Sequence, residues 1–388
     1  MSSLSTRKLI EGDTTLIVPE KADPVKYPSF FNPRGKFVRD VSIVCYRSFA
    51  ENLKKEKDNY QSKLSFADPL SGTGARGVRV AHELSKYFDR VFLNDVSPTS
   101  IELASRSVME NGVQTKCFFS QEEACAFLQT RKQNGGDRFD VVDIDPFGTP
   151  SPYVDCGIRA TKHGGLLSVS ATDTAVLCGV YPKVAQRKYL GLSLRTDYSH
   201  EIGLRLIFGL LSMSAMRFEC SIKPVFCHHD MHYFRAYSLV EIGNNFSRQN
   251  EADIGYVLHC FKCGFRKITK RDEFISNVVA NLLCPDCWGV MKIGGPLWAG
   301  KIQSRDFVAK CAELSQFSIF EEELDLPLYY DLTELSDTME IRTPKIADAI
   351  KELESGGRLA GRTRLNRNAV RTDAPLRELQ AVLTRLSR

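Results

Sequence analysis

At 388 residues, with 43% hydrophobic and 26% charged positions, the chain has the length of two or three ordinary domains and enough apolar content to bury a core without staples. Mean hydropathy is −0.22 and no apolar run approaches the roughly 18 residues of a membrane span, which predicts a soluble protein with no membrane partner. Net charge is 52 − 47 = +5, but Ile341 to Arg388 holds 11 basic and 5 acidic residues, so the excess belongs to that tail and the rest is near neutral at −1.

The first twenty residues lack an apolar stretch followed by a small-residue cleavage site, and their early acids argue against a transit peptide, so a cytoplasmic location is expected. The segment from Tyr27 to Asp40, rich in aromatics and arginine, could lid a cofactor, contact RNA or cover a sheet edge. From about Lys63 to Val240 short β-branched runs alternate with amphipathic stretches. Leu64 to Leu70, Arg90 to Asp95, Lys116 to Ser120, Phe139 to Asp145 and Gly165 to Asp173 read as buried strands, and residues 75–87, 97–112 and 150–164 carry helical periodicity. Such an order predicts a parallel sheet covered by helices on both faces. Ser97 before Pro98 marks a helix start, and Asn111-Gly112 a stop. Residues 200–218 read as a mostly buried helix, and 221–230 with 232–242 as a closing strand pair, about seven strands in all. The polar run Asn244 to Asp253 reads as a linker, dividing the chain into a domain over 1–245 and a second over 246–388.

Eight of the twelve cysteines, Cys125 and Cys156 among them, lie scattered in apolar stretches and read as free thiols of a reducing compartment. The other four form C-x2-C-x20-C-x2-C: Cys260, Cys263, Cys284 and Cys287. Two such knuckles suit tetrahedral structural zinc, a closed site that folds its segment. His228, His229 and His232 do not share a metal, because on a strand the middle one faces away from the other two. In the tail a helix with a Gly-Gly stop precedes Arg358, Arg362, Arg364, Arg367 and Arg371, which reads as a helix plus wing lying on a phosphate backbone. Arg362, Arg364 and Arg367 are the expected RNA-binding residues.

Two motifs bear on chemistry. Asp68-Pro-Leu-Ser-Gly72-Thr-Gly74-Ala-Arg-Gly77 places G-x-G-x-x-G between a strand and a helix, so that Gly72 and Gly74 allow a tight turn near a ligand and Gly77 lets the helix pack on the sheet. Asp95 ends the second strand where an acid takes ribose hydroxyls, which fits NAD and S-adenosylmethionine (SAM) alike. Asp145-Pro146-Phe147-Gly148 then follows the fourth strand and resembles the D/N-P-P-Y/F/W motif of methyltransferases that act on exocyclic amino groups of bases. Those nitrogens are poor nucleophiles, their lone pair being delocalised into the ring. The Asp145 carboxylate and the Pro146 carbonyl can accept the two N–H bonds, and Phe147 can stack on an extruded base.

Taken in order, FFNPRGKFVRD (Phe30 to Asp40), DPLSGTGARGVR, LNDVS, VVDIDPFGTPSP, SATDTAVLCGVYPK, HEIGLRL, HYFRAY and GGPLWAGK resemble, over most of the chain, the tRNA (guanine(26)-N(2))-dimethyltransferase family. The resemblance implies an α/β fold with a class I methyltransferase, Rossmann-like seven-stranded sheet, followed by a C-terminal α+β domain with the four-cysteine zinc site. It implies transfer of two methyl groups from SAM to N2 of guanosine 26, with tRNA as partner and no obligate protein partner. Arg39, Gly72, Gly74, Arg76, Asp95, Glu123 and Ala124 are the implied cofactor contacts, Glu123 standing where an aspartate is expected, and Asp145, Pro146 and Phe147 the catalytic group. An amino-methyltransferase of another RNA or DNA base, or an NAD-dependent oxidoreductase, remain as alternatives; for the latter no hydride-relay His or Tyr presents itself.

Overall fold

The computed structural model describes residues 5–20, 29–56, 63–133, 138–230, 232–278 and 282–387, so Tyr27 lies outside the described residues. An antiparallel hairpin, β1 (Thr6–Glu11) and β2 (Thr14–Pro19), opens the chain. Sequence periodicity does not announce it, because β2 docks partly through polar bonds: the Ile17 amide donates to Ser107 Oγ at 2.8 Å and the Thr15 amide to Asn111 Oδ1 at 2.9 Å. Helix α1 (Lys36–Glu56) follows. Strands and helices then alternate: β3 (Leu64–Asp68), α2 (Ala75–Glu83), β4 (Phe88–Asn94), α3 (Pro98–Glu110), β5 (Cys117–Ser120), α4 (Ala124–Gln133), β6 (Phe139–Ile144), α5 (Val154–Ala160) and β7 (Thr161–Ala171). Ser97 caps α3 as expected, its Oγ accepting from the Ser100 amide at 3.3 Å.

After the short α6 (Thr174–Leu177) and α7 (Pro182–Tyr189) come the long buried α8 (Ser199–Met216), β8 (Cys220–Asp230) and β9 (Tyr233–Ile242). One seven-stranded sheet results, in the order β5-β4-β3-β6-β7-β9-β8, and the pairs β5-β4, β4-β3, β3-β6 and β6-β7 are parallel. The order reverses between β3 and β6, and at such a switch point an open α/β sheet leaves a crevice beyond the carboxyl ends of its strands. The glycine turn follows β3 and the Asp145 motif follows β6, so both flank it.

Residues expected as a linker instead form α9 (Asn244–Ala252). This helix docks by hydrogen bonding rather than by an apolar stripe: buried Asn250 accepts from the Ile222 amide at 2.8 Å and donates to its carbonyl at 3.0 Å. An antiparallel sheet, β11-β10-β12, combines β10 (Ile254–His259), β11 (Arg266–Lys270) and β12 (Lys292–Trp298), with α10 (Arg271–Val278) between the last two in sequence. Then come α11 (Arg305–Leu314), β13 (Tyr330–Asp331), α12 (Leu332–Thr338), α13 (Ile346–Ser355), β14 (Ala360–Thr363), β15 (Asn366–Thr372) and α14 (Leu376–Leu386). The expected helix plus wing is α13 with the β14-β15 hairpin, and β13 adds to β15.

The chain folds into two compact units that interleave in sequence: Met1–Ala171 with Tyr237–Ile242 and Asp306–Phe320, and Thr172–Ala236 with Gly243–Arg305 and Glu321–Arg388. One cysteine expectation is corrected. Cys125 and Cys156 form a disulfide, because α4 and α5 run side by side and bring their Cα atoms to 5.4 Å, within bridging range.

Candidate active site

The turn after β3 is held by Asp95. Its Oδ2 accepts from the Gly72 amide at 2.9 Å and its Oδ1 from the Ser97 amide at 2.9 Å. Each carboxylate oxygen keeps a second lone pair for a ribose hydroxyl. Gly72 and Gly74 adopt φ of 52° and 74°, a left-handed conformation that β-carbons disfavour. At Gly77 an added Cβ would lie 2.2 Å from Leu93 Cδ2, so glycine lets α2 close on the sheet. A carboxylate at the tip of β4 and a glycine turn beside the crevice fit the adenosine end of SAM.

At the tip of β6 the structure assembles a cluster that sequence reading divided differently. Arg76, expected on the cofactor, sends one nitrogen, Nη1, to both Asp145 Oδ2 at 2.7 Å and Asp143 Oδ2 at 2.8 Å. Asp143 is fully buried, whereas Asp145 is about one-third exposed, so the reachable carboxylate of the pair is Asp145. Asp68 joins them from the end of β3. Burial pushes its carboxyl well above the usual range, the Asp143 carboxylate adds to this, Arg76 opposes it, and Asp145 adds again. The surroundings of Asp68 thus favour its neutral form, and Arg76 is the cation shared by Asp143 and Asp145. A clue lies in the sequence, since Asp68 opens the motif that ends in Gly77, but burial and partners cannot be read from spacing.

Beside Asp145, Pro146 is buried and Phe147 is 75% exposed. The Phe30 ring meets that of Phe147 edge-on at 5.3 Å. Next to it, a Cβ added at Gly148 would meet no atom within 4 Å, so the space is open. Phe30 belongs to the aromatic N-terminal segment, whose place at this site spacing did not reveal.

Other expected contacts are engaged locally. Arg39 is buried against Glu11, with Nε and Nη2 donating at 2.7 and 2.6 Å, and lies over the Phe31 ring. Glu123 caps α4, accepting from the Cys125 and Ala126 amides at 2.8 and 3.0 Å, and Ala124 is buried at the start of that helix. Departure from the expected aspartate is thus accommodated by a capping carboxylate.

In the second unit the ligand atoms of Cys260, Cys263, Cys284 and Cys287 all lie within 4.8 Å of one another and could hold a metal ion. Sγ separations of 3.4 Å (Cys260 to Cys287) and 3.5 Å (Cys263 to Cys284) are near the ~3.8 Å edge of a tetrahedron with ~2.3 Å metal–sulfur bonds. His228 is buried and His229 stacks on His200 with centroids 3.9 Å apart, so the histidines pack rather than cluster. Of the tail arginines, Arg362 and Arg367 are exposed on the wing. Arg364 is turned inward, pairing with Glu323 at 3.1 Å over the Phe226 ring, because the β14-β15 turn packs on buried acids. Arg371 is buried between Glu201 at 2.7 Å and Glu323 at 2.5 Å. For these two the phosphate-contact reading is corrected: their charge is neutralised inside the unit.

Comparison with known proteins agrees with this geometry. Residues 12–384 match the family model for N2,N2-dimethylguanosine tRNA methyltransferases. A tRNA (guanine(26)-N(2))-dimethyltransferase of Methanothermobacter thermautotrophicus is 33% identical, covering 97% of this chain and 98% of the relative. A tRNA (guanine(26)-N(2)/guanine(27)-N(2))-dimethyltransferase of Aquifex aeolicus is 31% identical over 88% of each chain. Among solved structures, Trm1 from Pyrococcus horikoshii in complex with S-adenosyl-L-methionine superposes with a TM-score of 0.80 at 26% identity, covering 97% of this chain and 99% of that one. The chain belongs to the N2,N2-dimethylguanosine tRNA methyltransferase family.

Proposed function

We propose that this protein is a SAM-dependent tRNA (guanine(26)-N(2))-dimethyltransferase. The observation that carries the reading is the half-open Asp145 carboxylate, held by Arg76 at the switch point beside an exposed Phe147. When bound, SAM supplies a methyl group on an electrophilic sulfonium. Gly72, Gly74 and Asp95 would hold its adenosine side, with Glu123 and Ala124 near the adenine; Arg39 and Arg76 serve this end only by giving up part of their present partners.

The chain's own work is to hold the guanine amine. Phe147 stacks on the extruded base, and the Asp145 carboxylate with the Pro146 carbonyl accepts its two N–H bonds, directing the nitrogen lone pair away from them and in line with the incoming methyl. As the N–C bond forms and the C–S bond breaks, one amine proton passes to Asp145 and on to water. For the second transfer the monomethylated amine keeps one N–H for Asp145, and the open space at Gly148 takes the first methyl. Residues 1–245 carry this chemistry and 246–388 grip tRNA, with Arg362 and Arg367 on phosphate. The four thiolates bind structural zinc. The protein works in the cytoplasm.

The test is transfer from labelled SAM to unmodified tRNA, followed by digestion to nucleosides. Label in N2,N2-dimethylguanosine at position 26 is the expected result; label in another base selects the amino-methyltransferase alternative. Asp145→Ala should lower the rate at least ~100-fold while SAM still binds, and a native rate in that variant removes the assigned chemistry.

A further inference from the structure

Between Thr174 and Thr196 lie four cations, Lys183, Arg187, Lys188 and Arg195, and no acid. Here α7 turns Ala185 and Tyr189 inward, and the Tyr189 hydroxyl donates to Asp173, which also pairs with Lys188 at 3.3 Å. On the opposite face, Lys183 and Arg187 stand one turn apart and exposed, with Gln186 between them.

The turn leading into the helix extends this face. Gly179 has a φ of 87°, and a Cβ there would sit 2.2 Å from the Arg195 backbone nitrogen, so the backbone of the loop at 194–195 runs directly along it. That closeness sets exposed Arg195 beside Val180 and Tyr181, which are 48% and 55% exposed. No carboxylate among the described residues pairs with Lys183, Arg187 or Arg195. Elsewhere in the same unit several exposed cations are matched: Lys267 with Glu273, Lys270 with Asp253 and Arg271 with Glu251.

We propose that α7 and the turn before it form an RNA-docking face, in which Lys183, Arg187 and Arg195 contact phosphates and the Tyr181 ring packs on an adjacent ribose or base. Charge complementarity selects the occupant: three unmatched cations and an exposed aromatic ring suit a polyanion that presents flat surfaces. This rests on the reading of the protein as a tRNA enzyme and gives it a grip outside the basic tail.

The experiment compares the full-length protein with the triple variant K183A/R187A/R195A and with Y181A, titrating unmodified tRNA from about 50 to about 200 mM salt. The triple variant should bind at least ~10-fold more weakly, and its log Kd against log salt slope should fall by about 2 to 3, at 0.7 to 0.9 per lost phosphate contact. SAM affinity and the rate at saturating tRNA should stay near wild type, with the loss in KM. Y181A should weaken binding without changing the slope, and Y181F should restore it. Unchanged affinity and slope in the triple variant, with wild type binding and methylating tRNA alongside, overturns the docking face alone and leaves it to a partner other than RNA. A wild-type protein that neither binds nor methylates tRNA overturns both readings.

Discussion

One guanidinium nitrogen serving two carboxylates, with a third carboxyl beside them pushed toward its neutral form, makes the pH behaviour of the site a property of single residues. Asp68 binds its proton more tightly folded than unfolded, so its contribution to stability is complete below the ordinary carboxylate pKa of about 3.9 and is lost as pH rises above it. Asp68→Asn, which imitates the protonated acid, should therefore melt at a higher temperature than wild type at neutral pH, and the gap should close toward pH ~4. Thermal melts across that range check it. Arg76→Ala removes the cation that holds the Asp145 carboxylate in place, and kcat at neutral pH should fall on the order of 100-fold. A role confined to cofactor binding would change KM for SAM and leave kcat near wild type. The placement of Asp145, Gly72, Gly74 and Asp95 around one crevice is legible in the sequence because it depends on motif and spacing. Arg76 is legible as important but not in its partner, since two aspartates from a strand 67 and 69 positions later reach it only through the fold.

At the scale of elements, short apolar runs reveal all seven strands of the main sheet to within a few residues, most plainly β3 and β6, because buried parallel strands leave a continuous apolar signature, whereas β5 keeps Phe118 and Phe119 partly exposed. Helix α9 leaves none, since it is fixed by a polar side chain bonding to distant backbone, and β2 offers only the short run Leu16 to Val18, its polar bonds to α3 being invisible in sequence. The basic wing shows the opposite failure. Five arginines look alike in sequence, yet Arg371 of β15 also donates to the Leu326 and Leu328 carbonyls, clamping the hairpin to the loop before β13 and to Glu201 of α8. Burial pushes Glu201 toward a higher pKa, but Arg371 and Arg205 outweigh it and hold the carboxyl below its usual range. Arg371→Ala should cost about 3 to 5 kcal/mol by taking one of two cations from each of two buried carboxylates, Glu201 keeping Arg205 and Glu323 keeping Arg364, read as a lower midpoint in denaturant, whereas Arg367→Ala on the exposed side should cost under about 0.5 kcal/mol. The cysteine knuckles belong to this scale too. Purified protein should contain about one zinc per chain, and a chelator or Cys263→Ser should lower the melting temperature and disorder β10 to β12 without moving SAM affinity.

For the whole molecule, the two units are compact in space and interleaved along the chain. The unit with the Asp145 site takes back Asp306–Phe320, where Phe307 and Cys311 are buried, Lys310 pairs with Glu51 at 3.1 Å and Phe317 meets Phe37 edge-on at 5.6 Å. A chain cut after residue 245 should accordingly lose cooperative unfolding and SAM binding, measured by calorimetry, even though every motif of the chemistry is present in it. During synthesis the same interleaving delays completion of the cofactor-binding unit: after its main body, residues 172–320, 149 positions, must leave the ribosome before its last segment is complete. At about 5 to 20 residues per second that interval is roughly 7 to 30 s. For that time Phe37 of α1 lacks the Phe317 ring and Glu51 lacks Lys310, so the nascent chain presents an uncovered face of α1, and the order of translation sets when the enzyme first becomes able to hold its cofactor.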